Sequence, residues 1–551
     1  MAEEKIYGYY KKWPDYIPKT ITIPEIPLDQ LLRDSAKKYP DNYITEYFGF
    51  KVTYKEMDTV ADRITTYLQN KGMKKGDVVA LYLTNVPPLI AAYYGIIRAG
   101  CVATLISPLF GPLEVKYQLK DSGAKILIIW EGFSQIFSNV APELPSLQVI
   151  WCSLAPWLGA SILSKEGLVE TEENQIYLEN LIKTTQEKSI KVPTAPKEDM
   201  AVLQYTGGTT GLPKGAILTH YNIVANCYQC AAVFPHPEYG KEVILGALPF
   251  YHIYAQTVVM NFGILIGAMI PLVSNPRNVD ELISVIENSR VTIFPGVAAL
   301  YNLINNTPEI EKRNLKSVKY CLSGAGPLPG EIQKRFEDLT GAKLVEGYGL
   351  TEASPVTHAN PLLRGRKNGT IGLPVPNTRM KIVSLEDPTK IMRVNEIGEL
   401  CVKGPQVMKG YYNRPEETKK TIIVDNWLLT GDIAMVDEEG YTKIVDRKKD
   451  LVKYKGHSVY PTEIENLLFE NPAILDCAVI GVPDAEAGET IKAFVVLKPE
   501  YIGKVTPANI IEWAKENMAK YKYPRFVEFM SEIPKGAAGK TLRRELRESK
   551  Q

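Results

Sequence analysis

The sequence predicts an α/β protein: a large N-terminal domain of layered α/β subdomains plus a β unit, followed by a small α+β C-terminal domain. Its 551 residues exceed what one ordinary hydrophobic core organises, so several domains are expected. Over most of the chain, short β-branched runs alternate with amphipathic helical patterns, which indicates parallel sheets covered by helices. From Arg379 to about Val445, short alternating runs with frequent Gly, Pro and Asp indicate an antiparallel β unit instead.

The N-terminal quarter shows the alternation most regularly. Two short β runs, Ile44–Tyr47 and Lys51–Thr53, flank Gly49 and predict a hairpin. Apolar residues at helical spacing predict helices at Ile26–Tyr39, Met57–Lys71, Leu89–Arg98 and Leu113–Ser122. Short apolar runs between them predict buried parallel strands at Val78–Leu83, Cys101–Leu105 and Lys125–Trp130.

The later elements follow the same rules. Thr219 is placed to cap a helix over Tyr221–Ala232. Strands are predicted at Val243–Leu248, Val291–Phe294 and Lys319–Ser323, and helices at Val279–Ser289, Ala298–Asn305 and Pro329–Leu339. In the C-terminal part, strands are predicted at Ala478–Val482 and Ala493–Leu497, and helices at Pro461–Glu470 and Pro507–Met518.

Composition narrows the class of partner and the compartment. Hydrophobic residues make up 45% of the chain, and the formal net charge of +1 gives no electrostatic reason to expect nucleic acid or an anionic membrane. The apolar stretches Leu89–Phe110 and Val258–Val273 are interrupted, so buried helix and strand pairs are expected rather than an integral membrane segment. Because Met1–Trp13 lacks the apolar core of a signal peptide, we expect a cytoplasmic protein.

The cysteines suggest packing rather than chemistry. Seven scattered cysteines do not indicate a disulfide framework. Cys227 and Cys230 form one CxxC, but no second pair or histidine set completes a zinc site. We therefore expect both to be buried thiols.

The clearest chemical motif is Tyr205–Gly215, which reads Tyr-Thr-Gly-Gly-Thr-Thr-Gly-Leu-Pro-Lys-Gly. Apolar runs enter and leave it, so strand, Gly-rich loop and strand are predicted. Glycines let backbone N–H groups approach a ligand, hydroxyls add donors, and a lysine supplies the charge that phosphate oxygens need. The loop is not a Walker A motif, because Lys214 is followed by Gly215. We interpret it as a polyphosphate cradle; taken alone, a surface turn is the alternative.

Further motifs follow in a fixed order across nearly the whole chain. They are Tyr348-Gly349-Leu350-Thr351-Glu352, Thr430-Gly431-Asp432, Asp446-Arg447-Lys448-Lys449-Asp450, Lys453-Tyr454-Lys455-Gly456 and Pro534-Lys535-Gly536-Ala537-Ala538-Gly539-Lys540. With the cradle, they resemble the adenylate-forming superfamily: acyl-CoA synthetases, aryl-CoA ligases, firefly luciferases and peptide-synthetase adenylation domains. The resemblance implies an N-terminal AMP-binding (adenylation) domain over residues 1–446 and a mobile C-terminal lid domain over residues 447–551.

The resemblance implies a first half-reaction in which a carboxylate attacks the α-phosphate of ATP, giving acyl-AMP and pyrophosphate. Thr206–Lys214 would hold the β- and γ-phosphates, and Glu352 would hold Mg²⁺, which favours carboxylate and phosphate oxygen. Asp432 would accept from the ribose hydroxyls, and Arg447 would donate to the same region. Lys540 would neutralise charge between the substrate carboxylate and the α-phosphate.

The adenine site is implied by the same resemblance. Tyr348 would stack on the base, beside a thin slot left by Gly324-Ala325-Gly326. The full set implied for ATP and AMP is Thr206, Gly207, Gly208, Thr209, Thr210, Gly211, Lys214, Gly324, Ala325, Gly326, Gly347, Tyr348, Gly349, Thr351, Glu352, Asp432, Arg447, Lys453 and Lys540. Taken singly, Asp432 is an ordinary turn aspartate and Glu352 a helix-start carboxylate; their joint order favours the functional interpretation.

The second half-reaction implied is transfer of the acyl group to coenzyme A after the C-terminal domain rotates. Lys449 matches the hinge position, and Lys455, Gly456 and, more weakly, Arg277 match positions that contact coenzyme A. Phe250 and His252 match the acyl-pocket segment, where His252 would act as a gate near the carboxylate. Acetate enzymes of the family carry two tryptophans where this chain has Tyr348-Gly349, so Gly349 implies an acyl chain longer than propionate.

The sequence therefore predicts an AMP-forming acyl-CoA synthetase with ATP, Mg²⁺ and coenzyme A, acting on a medium- or long-chain fatty acid. Its catalytic residues would be Lys540, Thr206, Lys214, Glu352 and His252. Alternatives are a 4-coumarate-like or hydroxybutyrate-like ligase of the same fold, luciferase-like oxidation of the adenylate, and an inactive nucleotide-binding protein. A peptide-synthetase module is disfavoured, because no carrier domain follows before Gln551.

Overall fold

The computed structural model describes residues 6–8, 12–159, 162–163, 169, 175–206, 212–455, 457–484, 486–535 and 541–548. Over these ranges the fold is mixed α/β, with five β-sheets. Among the described residues, no helix is both long enough and apolar enough to cross a membrane. The sequence prediction of layered α/β structure followed by smaller units is confirmed.

A seven-stranded sheet forms the centre of the N-terminal part. Its strands, in spatial order, are Gly410–Tyr411, Lys214–Thr219, Met200–Thr206, Val102–Leu105, Val78–Tyr82, Ile126–Trp130 and Gln148–Cys152. Pairing is parallel from Met200–Thr206 to Gln148–Cys152 and antiparallel at the other edge. Val78–Tyr82, the middle one of the five parallel strands, is buried at every position, as expected for a parallel strand covered on both faces.

A second, five-stranded sheet is formed by strands between residues 293 and 374. Its strands are Ile293–Gly296, Tyr320–Ser323, Lys343–Gly349, Val356–Ala359 and Leu373–Pro374. The first three strands are parallel, and the last two pairings are antiparallel. A small sheet of Phe50–Thr53, Tyr43–Tyr47 and Ile270–Pro271 contains the predicted hairpin.

The β unit predicted from Arg379 onward is antiparallel, as expected. It consists of Arg379–Val383, Gly398–Lys403, Trp427–Val436, Ile422–Ile423 and Thr442–Arg447. A last sheet contains His457–Val459, Val452–Tyr454, Gly488–Leu497, Ile474–Asp484 and Phe526–Phe529. Its apolar side chains form clusters of their own between residues 452 and 546.

The α-helices cover these sheets. They are Gln30–Lys38, Tyr54–Asn70, Pro87–Arg98, Pro112–Ser122, Ser134–Ser138, Leu178–Thr184, His220–Val233, Ile253–Ala255, Phe262–Leu265, Val279–Ser289, Ala298–Asn305, Gly330–Thr340, Pro415–Thr421, Pro461–Leu468, Pro507–Asn517 and Arg543–Glu548. A π-helix, Gln256–Asn261, joins two of them. Every helix predicted above is present, with ends shifted by a few residues.

One predicted strand is wrong in part. Over Val243–Leu248, only isolated bridges form, at Val243, Ile244 and Gly246. The Gly246 amide donates to the Pro271 carbonyl oxygen at 2.9 Å, but Pro271 has no N–H of its own to donate, so the ladder is interrupted there. The CxxC cysteines are buried thiols as expected, and burial raises the pKa of Cys230 to about 12.

Candidate active site

The phosphate cradle is framed by two antiparallel strands. Thr206, the last residue of Met200–Thr206, lies opposite Lys214, the first residue of Lys214–Thr219. Gly207, Gly208, Thr209, Thr210 and Gly211 lie outside the described residues. The predicted strand, loop and strand are therefore confirmed at their flanks, which place Thr206 and Lys214 side by side at the mouth of the loop.

Two hydroxyl groups fix the flanks of the loop. Tyr205 donates to Oδ2 of Asp121 at 2.7 Å, and Tyr117 donates to the Pro213 carbonyl oxygen at 2.9 Å. At the far end of the second strand, the predicted cap is present: the Thr219 hydroxyl accepts from the backbone of the following helix in a reciprocal capping box. The loop therefore starts and ends on anchored backbone.

A short edge strand brings the Glu352 carboxylate to this loop. Gly410–Tyr411 pairs with Lys214–Thr219, and the Met408 amide donates to the Glu352 carbonyl oxygen at 2.8 Å. The Tyr411 hydroxyl donates to Oε1 of Glu352 at 2.7 Å, while Nζ of Lys214 lies 5.2 Å from the centre of the Tyr411 ring. Tyr411 thus contacts both the expected phosphate-binding lysine and the expected metal-binding carboxylate.

The donor set near Glu352 fits Mg²⁺ held mainly by a nucleotide. Among the described residues, no group of three or more His, Cys, Asp or Glu side chains is arranged to hold a metal. Mg²⁺ is commonly bound through one or two carboxylates plus substrate phosphates, which matches a single carboxylate beside a phosphate loop. Glu352 would hold the ion, and the ion would neutralise phosphate charge there.

Tyr348 and Arg447 converge on Asp432, the predicted ribose-binding residue. Tyr348 donates to Oδ2 of Asp432 at 2.5 Å, and Nε of Arg447 lies 3.2 Å from Oδ1. Asp432 and Arg447 are register partners on adjacent strands, which explains why their side chains meet. Burial and the neighbouring Asp432 raise the pKa of Tyr348 well above its ordinary value, so its hydroxyl remains a donor.

The Gly324-Ala325-Gly326 turn is packed from below by Tyr254. A Cβ on Gly324 would lie 2.8 Å from the Tyr254 ring, so glycine allows this close contact. The Tyr254 hydroxyl donates to the Leu322 carbonyl oxygen at 2.6 Å. Ala325 has a positive φ of 65°, which shows how tightly the chain turns here.

Glu346 supports the other end of the same turn. It lies two residues before Tyr348, and its Oε2 accepts from the Leu328 amide at 3.2 Å. Burial raises the pKa of this carboxyl group to about 7. Glu346 thus connects the strand that carries Tyr348 to the residues that follow the Gly324-Ala325-Gly326 turn.

Gly349 has a structural reason of its own to be glycine. A Cβ there would lie 2.2 Å from the Pro355 carbonyl oxygen, and the Leu350 amide donates to that oxygen at 3.1 Å. Two backbone segments approach each other at this point. The expectation that Gly349 opens the acyl pocket remains a prediction. The nucleotide contact expected of Gly347 also remains a prediction; a Cβ at Gly347 would lie 2.8 Å from the Leu322 side chain.

The expected acyl-pocket segment lies at the start of a buried helix. Nδ1 of His252 accepts from the Tyr254 amide at 3.2 Å and caps the short helix Ile253–Ala255. Phe250 is fully buried, and its amide donates to Oδ1 of Asn85 at 2.8 Å. His252 therefore has a capping contact besides any role near a substrate carboxylate.

The C-terminal candidates occupy a separate region. Lys453 donates to Oγ of Ser458 at 2.9 Å, and Nζ of Lys455 lies 5.9 Å from the Tyr454 ring centre. No hydrogen bond or ion pair within the described ranges joins Lys453 or Lys455 to Asp432 or Glu352. Gly456 and Lys540 lie outside the described residues.

Three further candidates lie at or near the ends of elements. Lys449 lies just after the strand Thr442–Arg447. Burial, and to a smaller extent the positive charge of Arg447, lowers the pKa of its ammonium group to about 8. Arg277 is exposed just before the helix Val279–Ser289, where its amide donates to Oδ1 of Asn275 at 3.1 Å. Thr351 begins the 3-10 turn that carries Glu352.

Sequence reasoning missed Tyr411, Glu417, Glu346 and Tyr254. Tyr411 lies 59 residues from Glu352, and Glu417 lies 203 residues from its partner Lys214, so no local pattern joins them. The run Gly410-Tyr411-Tyr412 before Asn413-Arg414-Pro415 was a usable signal, because aromatic residues before a turn indicate a short strand.

Comparisons with known proteins agree with this geometry. The family model described as "AMP-binding enzyme" matches residues 32–412, and "AMP-binding enzyme C-terminal domain" matches residues 463–540. The long-chain-fatty-acid–CoA ligase of Bacillus subtilis is 39% identical over 98% of this chain and 97% of its own. The 4-coumarate–CoA ligase of Humulus lupulus is 33% identical over 98% of this chain and 96% of its own.

Solved structures point the same way. The ATP-bound structure of MatB from Rhodopseudomonas palustris aligns with a TM-score of 0.83 at 27% identity, over 95% of this chain and 98% of that one. The predicted enzyme class and its use of ATP, Mg²⁺ and coenzyme A are confirmed at the level of the family. The chain belongs to the family of AMP-binding enzymes and is an AMP-forming acyl-CoA ligase.

Proposed function

We propose that this ligase activates a medium- or long-chain fatty acid and transfers it to coenzyme A. The observation that carries the site assignment is the span of the segment Tyr348–Glu352. At one end Tyr348 contacts Asp432, and at the other Glu352 is joined through Tyr411 to Lys214. One short segment thus connects the expected ribose contact with the expected phosphate contact.

In the first half-reaction, different residues bind different parts of ATP. Thr206 and Lys214 bind the β- and γ-phosphates, and Asp432 accepts from the ribose hydroxyls while Arg447 holds its other oxygen. Glu352 holds Mg²⁺, which supplies charge neutralisation at the phosphates. Lys540 is proposed to stabilise the charge that develops as the acid attacks the α-phosphate.

In the second half-reaction, we propose that residues 447–551 rotate as a lid relative to residues 1–446. Contacts across this boundary lie close to residue 447: Oδ2 of Asp446 accepts from the Thr462 amide at 2.8 Å, and Nζ of Lys448 lies 2.7 Å from Oε2 of Glu399. Lys449 would be the hinge, and Lys453, Lys455, Gly456 and Arg277 would then approach the adenylate or coenzyme A. A cytoplasmic location fits substrates of this kind.

The substrate class is supported by the activities for which the relatives are named. The Bacillus subtilis relative and the 37% identical relative from Escherichia coli O6:H1 are both long-chain-fatty-acid–CoA ligases. The second candidate is an aryl acid, because the Humulus lupulus relative is a 4-coumarate–CoA ligase. Both candidates share the adenylation chemistry and differ only in the acid.

Pyrophosphate release measured with ATP, Mg²⁺ and a panel of acids tests the proposal. The panel comprises acetate, hydroxybutyrate, octanoate, palmitate and 4-coumarate, each with and without coenzyme A. We expect coenzyme A-dependent turnover to be greatest on octanoate or palmitate, with the matching acyl-CoA as product. Greatest turnover on 4-coumarate would replace the fatty acid with the aryl candidate, and no turnover on any acid would overturn the proposal.

A further inference from the structure

The lysine of the phosphate loop already has an anionic partner within the protein. Nζ of Lys214 lies 2.5 Å from Oε2 of Glu417. The other oxygen of Glu417, Oε1, lies 3.1 Å from Nζ of Lys420. A carboxylate oxygen and a phosphate oxygen bind an ammonium group at similar distances, so Glu417 occupies a position that a phosphate oxygen would use.

The segment that carries Glu417 is attached to the two strands that flank the phosphate loop. Its first residues, Gly410–Tyr411, pair with the strand that begins at Lys214. The Tyr411 amide donates to Oγ1 of Thr418 at 2.8 Å, within the helix Pro415–Thr421. Arg414 donates to Oδ1 of Asp121 at 2.7 Å, and Asp121 also accepts from Tyr205, in the strand that enters the loop. Glu417 is therefore held beside the loop by backbone and side-chain contacts.

We propose that the carboxylate of Glu417 competes with the phosphate oxygens of ATP for the Lys214 ammonium and thereby sets the affinity for ATP. The inference rests on the proposed function, in which Lys214 binds the β- and γ-phosphates. Binding exchanges one anionic partner for another, so only the difference between the two contacts favours ATP. After adenylation, the return of Lys214 to Glu417 favours the departure of pyrophosphate. Glu417 is thus a positioning residue that acts through Lys214.

The exposure of the pair limits the size of the effect. The side chains of Lys214 and Glu417 are 37% and 36% exposed, so solvent screens their attraction. Exposed ion pairs of this kind contribute little, and removal of the competitor should strengthen ATP binding by about two- to fivefold. The gain should shrink as the salt concentration rises, because screening weakens both contacts.

Glu417→Gln and Glu416→Gln form a matched pair of variants. Both remove one carboxylate from the same short helix, so they change the net charge equally. Glu416 pairs with Lys419 at 2.9 Å instead of Lys214. The measurements are calorimetric titration with ATP and Mg²⁺ in the absence of acid, followed by KM for ATP and kcat with the preferred acid.

We expect Glu417→Gln to lower the dissociation constant and the KM for ATP by about two- to fivefold, with kcat changed by less than about twofold. Glu416→Gln should match the wild type. An unchanged or weaker affinity for ATP in Glu417→Gln, or the same shift in both variants, would overturn the inference. If the wild type still bound ATP, the proposed function would stand. A wild-type protein that binds no ATP would overturn both.

Discussion

Asp432→Asn tests the ribose contact most directly. Asp432 is only 4% exposed, and its two oxygens accept from Tyr348 at 2.5 Å and from Arg447 at 3.2 Å. Asparagine keeps the shape but removes the charge and turns one acceptor into a donor; because Arg447 can only donate, the amide nitrogen would face the Tyr348 hydroxyl, which can accept. A hydrogen bond to a charged group contributes about 1.5–3 kcal/mol, and about 1.4 kcal/mol corresponds to tenfold in rate.

Loss of one such contact to a ribose hydroxyl therefore predicts a fall in kcat/KM for ATP of about 10- to 150-fold. Because the ribose is held alike in the ground and transition states, most of the change should appear in KM. The assay is pyrophosphate release over a range of ATP concentrations at saturating acid. Glu439→Gln is the control: this residue pairs with Lys367 at 2.8 Å in the same β unit and lies outside the proposed nucleotide site.

Asp432 does not bind the ribose if Asp432→Asn unfolds at the wild-type temperature and keeps kcat/KM for ATP within about threefold of the wild type. A similar loss in Glu439→Gln would show that charge removal in the β unit acts through folding, which thermal unfolding of both variants detects.

Three further variants test other parts of the site. Lys540→Ala should abolish acid-dependent pyrophosphate release and leave ATP binding, measured by calorimetry, largely intact. Glu346→Gln should raise the unfolding temperature at pH 8. Burial raises the pKa of the Glu346 carboxyl group to about 7 from an ordinary 4.5. The resulting contribution to stability is therefore complete below pH 4.5 and is lost as the pH rises through 7, where the buried group becomes charged. Gly349→Ala should lower the unfolding temperature, because its Cβ would lie 2.2 Å from the Pro355 carbonyl oxygen. Gly326→Ala is the control, because a Cβ at Gly326 would have no atom within 4 Å.

Each of these has a contrary outcome. Full pyrophosphate release in Lys540→Ala would remove that residue from the reaction. If the gain in unfolding temperature of Glu346→Gln over the wild type is as large at about pH 5 as at pH 8, the gain does not come from the titration of the carboxyl group. Equal unfolding temperatures for Gly349→Ala and Gly326→Ala would mean that the backbone near Pro355 relaxes freely.

Local patterns predicted the fold where neighbouring residues in the sequence decide the structure. The flanks of the phosphate loop and the Thr219 cap depend on hydrophobic alternation and on one hydroxyl placed before a helix. The strand expected at Val243–Leu248 did not form as a regular strand, because Pro271 in the neighbouring segment has no N–H to donate to it. That interruption depends on a segment outside the predicted strand.

In the candidate site, too, the local motifs could be predicted from the sequence and the long-range contacts could not. The motifs that contain Lys214, Glu352 and Asp432 are visible in the sequence, since each is a compact run of unusual residues. The contacts of Tyr411 with Glu352 and of Glu417 with Lys214 depend on an edge strand supplied from far along the chain. Side-chain partners joined across such distances leave no periodicity to detect in one sequence.

The edge strand Gly410–Tyr411 also has a consequence for the order in which the protein matures. The strand Lys214–Thr219 is made about two hundred residues before its outer partner, so during synthesis one of its edges has nothing to pair with. Closing such a long loop is slow and costs entropy before any contact forms. The nascent N-terminal segment therefore passes through a stage with an open sheet edge, and at that stage the chain depends most on protection from aggregation.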